Sequence, residues 1–271
     1  MLFYVFWLIA AALCGTLYLT VDGLHPGWII PIVLGAFVAI CLLFLLYLYL
    51  SSLCLSKKQP EHPVPFAWFT TRVSLDWFMR IFGVKIRVLG AEKLPEGPVI
   101  YVCNHRSAFD PVFIICGIRR RRMAFIAKSS VMKYPVVGPY VLRSGFLGIE
   151  RESPLQSLRT INRAARYVRE DGIDYGVFPE GTRSRDGRLG PFKEGAFLLA
   201  KKADAPIAVL TMEGSETAWS GLPFHRPRIL IRVERVISVE EVRALDHEAL
   251  SGISRDVMQK ALASDGKGRG A

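Results

Sequence analysis

Val99-Ile-Tyr-Val-Cys-Asn104-His105-Arg106-Ser107-Ala108-Phe109-Asp110-Pro111 is the stretch on which the reading of this 271-residue chain turns. It opens with an apolar, β-favouring run, the pattern of a strand buried on both faces. Proline is favoured in the first turn of a helix, so a helix is expected to open at Pro111 with Asp110 at its N-cap. The loop between strand and helix lets His105 fold back toward Asp110. The carboxylate then binds one imidazole nitrogen, and the other is left to take a proton from a bound hydroxyl. Alone, a His-x4-Asp pair is weak support. A single His near a helix start is more often a structural hydrogen-bonder, and Asp110 by itself would be an ordinary cap.

Support comes further along, in Val177-Phe178-Pro179-Glu180-Gly181-Thr182-Arg183-Ser184. Here too a buried strand runs into a loop, with Gly181 to bring backbone close and Arg183 to bind an oxyanion bidentately. Gly145-Phe-Leu-Gly-Ile-Glu150-Arg151 is a further strand ending in a basic residue, and Lys128 follows the strand Ala124–Ala127 in the same way. Each cation alone would read as surface charge. Their shared placement at strand ends points to a phosphate pocket beside His105.

Around these segments short β-rich runs alternate with helical ones from about Val84. Candidate strands are Lys85–Leu89, Val99–Cys103, Ala124–Ala127, Phe146–Ile149, Tyr175–Phe178, Ile207–Met212 and Ile229–Val233, with helices starting near Pro111, Pro154 and Phe192. The alternation predicts an α/β domain: a mixed, mainly parallel sheet flanked by helices, its active site in loops beyond the strand ends. The helix from Pro154 carries Arg159, Arg163, Arg166 and Arg169, and Arg119–Arg122 is a basic run; both read first as solvated faces.

Ahead of this domain lie two uncharged apolar stretches, Met1 to Thr20 and Trp28 to Leu53, with Asp22 in the joint between them. Each reaches the roughly 20 residues a helix needs to span a bilayer. An N-terminal two-helix membrane hairpin is the simplest reading; a hairpin re-entering one leaflet places the rest of the chain identically. A cleaved signal peptide fits poorly, since no basic region precedes the first stretch. Lys57 and Lys58 follow the second stretch and favour a cytoplasmic exit, so the expected location is the cell membrane with the domain on its cytoplasmic face. Four segments result: a membrane anchor over 1–55, a linker and amphipathic helix over 56–83, the α/β domain over 84–262 and a disordered tail over 263–271. In the amphipathic helix Arg72, Asp76 and Arg80 form a narrow polar stripe. That helix can lie in the lipid interface or pack on the domain core.

All 35 Lys and Arg lie beyond residue 56, with all but one of the 24 acidic residues, so that part is slightly more basic than the chain's net +11. A basic domain tethered to a membrane suits anionic lipid surfaces, phosphorylated substrates and acidic carrier proteins. The hairpin argues against nucleic acid as the partner. The 5 cysteines are odd in number and form no CxxC pair, which implies a reduced compartment with neither a disulfide framework nor a metal site.

These segments resemble the 1-acyl-sn-glycerol-3-phosphate acyltransferase family within the glycerolipid acyltransferases. The family's NHxSxxD motif stands as Asn104 to Asp110, its second motif as Gly145 to Arg151 and FPEGTRS in full as Phe178 to Ser184, followed by Phe192-Lys193-Glu194-Gly195-Ala196 like its FKxGA. The fourth motif departs from the family's PIVPV: Pro206-Ile207-Ala208-Val209-Leu210 lacks the second proline, which leaves acyl-chain preference open. The resemblance covers about Val84 to Val236. It implies that His105 deprotonates the acceptor hydroxyl and that Asp110 orients it. Arg183 would bind the acceptor phosphate with Arg151 and Lys128 as helpers, and Glu180, Gly181 and Thr182 would shape the glycerol and phosphate site. The co-substrate would be acyl-CoA or acyl carrier protein, with no cofactor and no covalent acyl-enzyme, so Cys103 would be structural.

Overall fold

The structure, a computed structural model, describes residues 11–12, 15–16, 18, 28–119, 121–149, 153–184, 188–220 and 226–268. The first apolar stretch and the turn after it lie largely outside these residues. The second arm of the expected hairpin is helix α1 (Ile29–Cys54). Its 26 residues extend about 39 Å at 1.5 Å per residue, enough to cross a hydrocarbon layer of roughly 30 Å. None of its most apolar window is buried. Near its end the Ser52 hydroxyl donates to the Tyr49 carbonyl at 2.7 Å, so a polar group in an apolar helix is satisfied internally.

Residues 57–271 form a compact unit of their own. Its strands are β1 (Lys85–Leu89), β2 (Ile100–Cys103), β3 (Met123–Lys128), β4 (Leu147–Ile149), β5 (Asp174–Val177), β6 (Ile207–Glu213) and β7 (Arg228–Ile237). They build one sheet in the order β1-β7-β6-β2-β5-β3-β4. The block β6-β2-β5-β3-β4 is parallel throughout, while β7 runs antiparallel to β6 and parallel to β1. Every residue of β2, β5 and β6 is buried, which explains why they are mainly apolar; the buried Asp174 of β5 accepts from Val99 N and the Tyr101 hydroxyl. At the edge, β1 alternates between exposed and half-buried positions.

The helices are α2 (Pro65–Ile81), α3 (Asp110–Gly117), α4 (Val137–Arg143), α5 (Pro154–Asp171), α6 (Gly195–Ala203), α7 (Val239–Ala244) and α8 (His247–Gly268). Helix α5 has the expected apolar face, with Ile161, Ala164, Ala165 and Val168 buried. Its start and stop are chemical: Ser153 caps Gln156 N–H, Pro154 opens the first turn and Gly172 closes it with φ 62°, a conformation that costs glycine little. Helix α8 continues to Gly268, into the segment whose composition predicts disorder.

One open reading is decided here and two expectations change. The polar stripe of α2 faces inward: Arg72 pairs with Asp76 at 3.2 Å and donates to the Ile115 carbonyl, while Phe66 and Phe69 are exposed. The helix therefore packs on the domain and presents aromatics outward. The stretch expected as a linker is also packed, since Gln59 donates to the Phe146 carbonyl, Tyr167 to that of Pro60, and His62 pairs with Asp171. Nor are the arginines merely solvated. Arg119 donates to Cys116 O and Arg122 to Asp171 O, at 2.9 and 2.8 Å, and Arg169 to Lys202 O. All three carbonyls lie in the last turns of helices, where no intrahelical donor reaches.

Gly176 in β5 decides one feature of the core. A Cβ there would lie 1.9 Å from Phe125 Cε1, so the ring occupies the space that any side chain would fill. Gly176→Ala is therefore expected to destabilise the domain by about 1–3 kcal/mol through overpacking. Urea or thermal unfolding of the purified variant checks this.

Candidate active site

The parallel block brings the C-terminal ends of β2, β5, β3 and β4 to one edge of the sheet, and the described ones among the expected site residues lie at or just beyond these ends. Beyond β2 the side-chain amide of Asn104 continues the ladder to β6. Its Nδ2 donates to Met212 O at 3.0 Å and its Oδ1 accepts from Met212 N at 2.8 Å. A side chain thus replaces a peptide group, which frees the backbone to turn into the His105 loop.

His105 Nδ1 lies 2.8 Å from Asp110 Oδ2, with the His side chain 17% exposed and the Asp side chain fully buried. The same oxygen accepts from Arg106 N and Ser107 N at 2.7 and 2.8 Å. Asp110 is consequently the first residue of α3 and not its cap; Phe109 holds the cap position without a side-chain bond. The loop's N–H groups and the imidazole draw the carboxylate backward, away from the helix it was expected to cap. Among the described residues Nε2 of His105 has no protein partner, so it is the nitrogen available to a substrate proton.

The loop after β5 holds His105 from three directions. Glu180 Oε1 accepts the His105 N–H at 2.9 Å, Ser184 N–H donates to the His105 carbonyl at 2.8 Å, and the Phe178 ring stacks on the imidazole at 4.1 Å and 17°. Phe178 rests in turn on Phe125, 5.6 Å away, the ring that Gly176 admits. The second Glu180 oxygen accepts Gly190 N–H at 2.9 Å. Buried to 5% exposure, Glu180 has both oxygens engaged inside the protein. Neither Asn104 nor Phe178 carried a role in the sequence reading. Their membership of the two motifs was the available signal, but the partners they find are distant in the chain.

Gly181 has φ 68°, and Thr182 and Arg183 beside it are exposed. Arg183 and Lys128, the latter at the exposed end of β3, have no acidic partner among the described residues. Arg151 lies outside the described residues. Cys103 is buried directly under the loop. Burial, then the charges of Asp110 and Glu180, push its thiol well above the usual range, and a thiol so held is no nucleophile. Cys116 is likewise pushed up to about 12, mainly by burial.

Residues 85–213 match the family model named Acyltransferase. That segment is an acyltransferase domain. Over 139 residues the chain is 34% identical to the 1-acyl-sn-glycerol-3-phosphate acyltransferase of Limnanthes douglasii, covering 51% of this chain and 49% of that protein. It is 31% identical over 180 residues to the enzyme of that name from Saccharomyces cerevisiae, covering 65% and 59%. The Haemophilus influenzae enzyme matches at 27% over 195 residues, covering 69% and 79%. The chain spans about half the length of the plant relatives it matches. The acyltransferase domain also shares its fold with a crystal structure of PlsC from Thermotoga maritima, a 1-acyl-sn-glycerophosphate acyltransferase. The TM-score is 0.57 at 21% identity, over 73% of this chain and 81% of that one.

The geometry makes Glu180 testable. In Glu180→Gln one of the two backbone donors would meet an amide NH₂ in place of an acceptor. Acyl-transfer kcat is expected to fall about 10- to 100-fold, the equivalent of one charge-assisted hydrogen bond. An unchanged circular-dichroism spectrum would accompany it. Steady-state kinetics checks the loss.

Proposed function

We propose that the acyltransferase domain moves a fatty acyl group from a thioester donor to the sn-2 hydroxyl of 1-acyl-sn-glycerol-3-phosphate, giving phosphatidic acid. The observation that carries this reading is the His105–Asp110 pair, with Nε2 open and its loop fastened to the one that bears Arg183. The names of the relatives point to the same acceptor.

His105 Nε2 removes the proton as the acceptor oxygen attacks the acyl carbonyl carbon. Asp110 fixes the ring and stabilises the imidazolium. The new O–C bond forms, the C–S bond breaks, and the imidazolium proton goes to the departing thiolate of coenzyme A or acyl carrier protein. The protein's own groups suffice for these proton movements, so no cofactor is needed beyond the donor. Arg183 binds the acceptor phosphate with Lys128 and Arg151 as helpers, while Gly181 and Thr182 line the glycerol. Helix α1 anchors the chain in the cell membrane, and Lys57 and Lys58 set the domain on the cytoplasmic face. Phe66 and Phe69 of α2 are aromatic groups suited to the lipid interface. A lysophospholipid with another headgroup would use the same chemistry.

Acyl transfer by detergent-solubilised protein from labelled acyl-CoA or acyl carrier protein, onto a panel of lysolipids, tests the reading. His105→Ala should lower turnover at least about 100-fold and leave lysolipid binding largely intact. Lost binding with residual turnover would remove the base assignment, and product from another acceptor alone would change the substrate. Arg183→Ala should raise the apparent KM for the phosphorylated acceptor about tenfold or more, with little effect on that of the donor. Equal effects on both would place Arg183 elsewhere.

A further inference from the structure

Lys193 follows Phe192 in the loop that leads into α6, and the assigned site does not use it. Its backbone N–H donates to the Pro179 carbonyl at 2.8 Å, which pins it to the loop after β5. From there the side chain lies across Gly181. A Cβ built on that glycine would be 3.1 Å from Lys193 Cε, 3.2 Å from Cδ and 3.4 Å from Nζ. The glycine suits φ 68°, and the lysine stem lies close over its backbone. This places the ammonium on the segment that holds His105 and carries Arg183, two residues further on.

No carboxylate forms an ion pair with this ammonium among the described residues. Both oxygens of nearby Glu180 are taken by His105 N and Gly190 N. The neighbouring carboxylate, Glu194, turns away to His247 Nε2 at 3.0 Å. Among the described residues Lys193 has no acidic partner, whereas Arg106, Arg232, Arg235 and Arg243 are all paired. Cations left unpaired at one loop are suited to a ligand with more than one negative charge, such as a phosphate monoester.

We propose that Lys193 is a further ligand of the acceptor's phosphate, closing on it from the Gly181 side while Arg183 approaches along the same loop. This rests on the acceptor reading above and adds a residue to it. Gly181 then serves to let a cation reach the phosphate, beyond making a turn.

The test is equilibrium binding by the full detergent-solubilised chain. Lysophosphatidic acid is compared with monoacylglycerol of the same chain length, which lacks the phosphate. Wild type, Lys193→Met and Lys193→Arg are run together; methionine keeps a stem over Gly181 and removes the charge. Lys193→Met should cut the preference for the phosphorylated lipid about tenfold, and Lys193→Arg should restore most of it. An unchanged preference, or equal weakening toward both lipids, would reduce Lys193 to a cover for Gly181 and overturn the proposal. No preference in the wild type would remove this site and the acceptor reading together. Lys193-dependent preference without acyl transfer would keep the site and remove the reaction.

Discussion

A single carboxylate oxygen, Oδ2 of Asp110, accepts from the imidazole of His105 and from two successive backbone N–H groups while fully buried. Oδ1 is buried with no partner among the described residues, and since burying a charge is costly unless it is hydrogen-bonded, the carboxylate rests on these donors to Oδ2. They also wrap the loop into one conformation. The ring then has one nitrogen committed and one facing outward, as a proton acceptor needs. The loop cannot hold that shape alone, because the His105 peptide group also needs partners. Those partners come from the segment after β5, through Glu180 and Ser184.

This shared dependence makes two loops into one unit. The segment that holds His105 also bears Arg183, so a shift at one would be felt at the other. Behind them stand Phe178 and Phe125, with Phe125 in the space left by Gly176. The line from a missing Cβ in the core to the His105 ring is continuous packing, and close-packed interiors transmit small shifts.

The chain's basic excess divides into cations with different work. Several arginines are spent on helix carbonyls that lack intrahelical partners. Others, on β7, pair with carboxylates of β6 and α7. Lys128, Arg183 and Lys193 do neither, and they sit at or near the ends of the parallel strands. A positive field at that edge would draw anionic ligands toward the open imidazole nitrogen.

By itself the sequence determined the strands, because each is a short apolar run whose period and flanking turn residues admit little else. All seven candidate strands overlap those observed, from Lys85–Leu89 to Arg228–Ile237. It also determined the His105–Asp110 pair, since both partners lie within one short loop. Helix α4 was missed: Val137 to Arg143 is short and contains glycine and proline, so it shows no helical period. Other features rest on residues far apart in the chain, and only the tertiary structure could decide them. Asn104 reaches Met212, Arg72 reaches Ile115, and Lys193 lies over Gly181. Asp110 and Glu180 both turn toward backbone N–H donors, but those of Asp110 are local, whereas the His105 N–H that Glu180 meets lies far away in the chain.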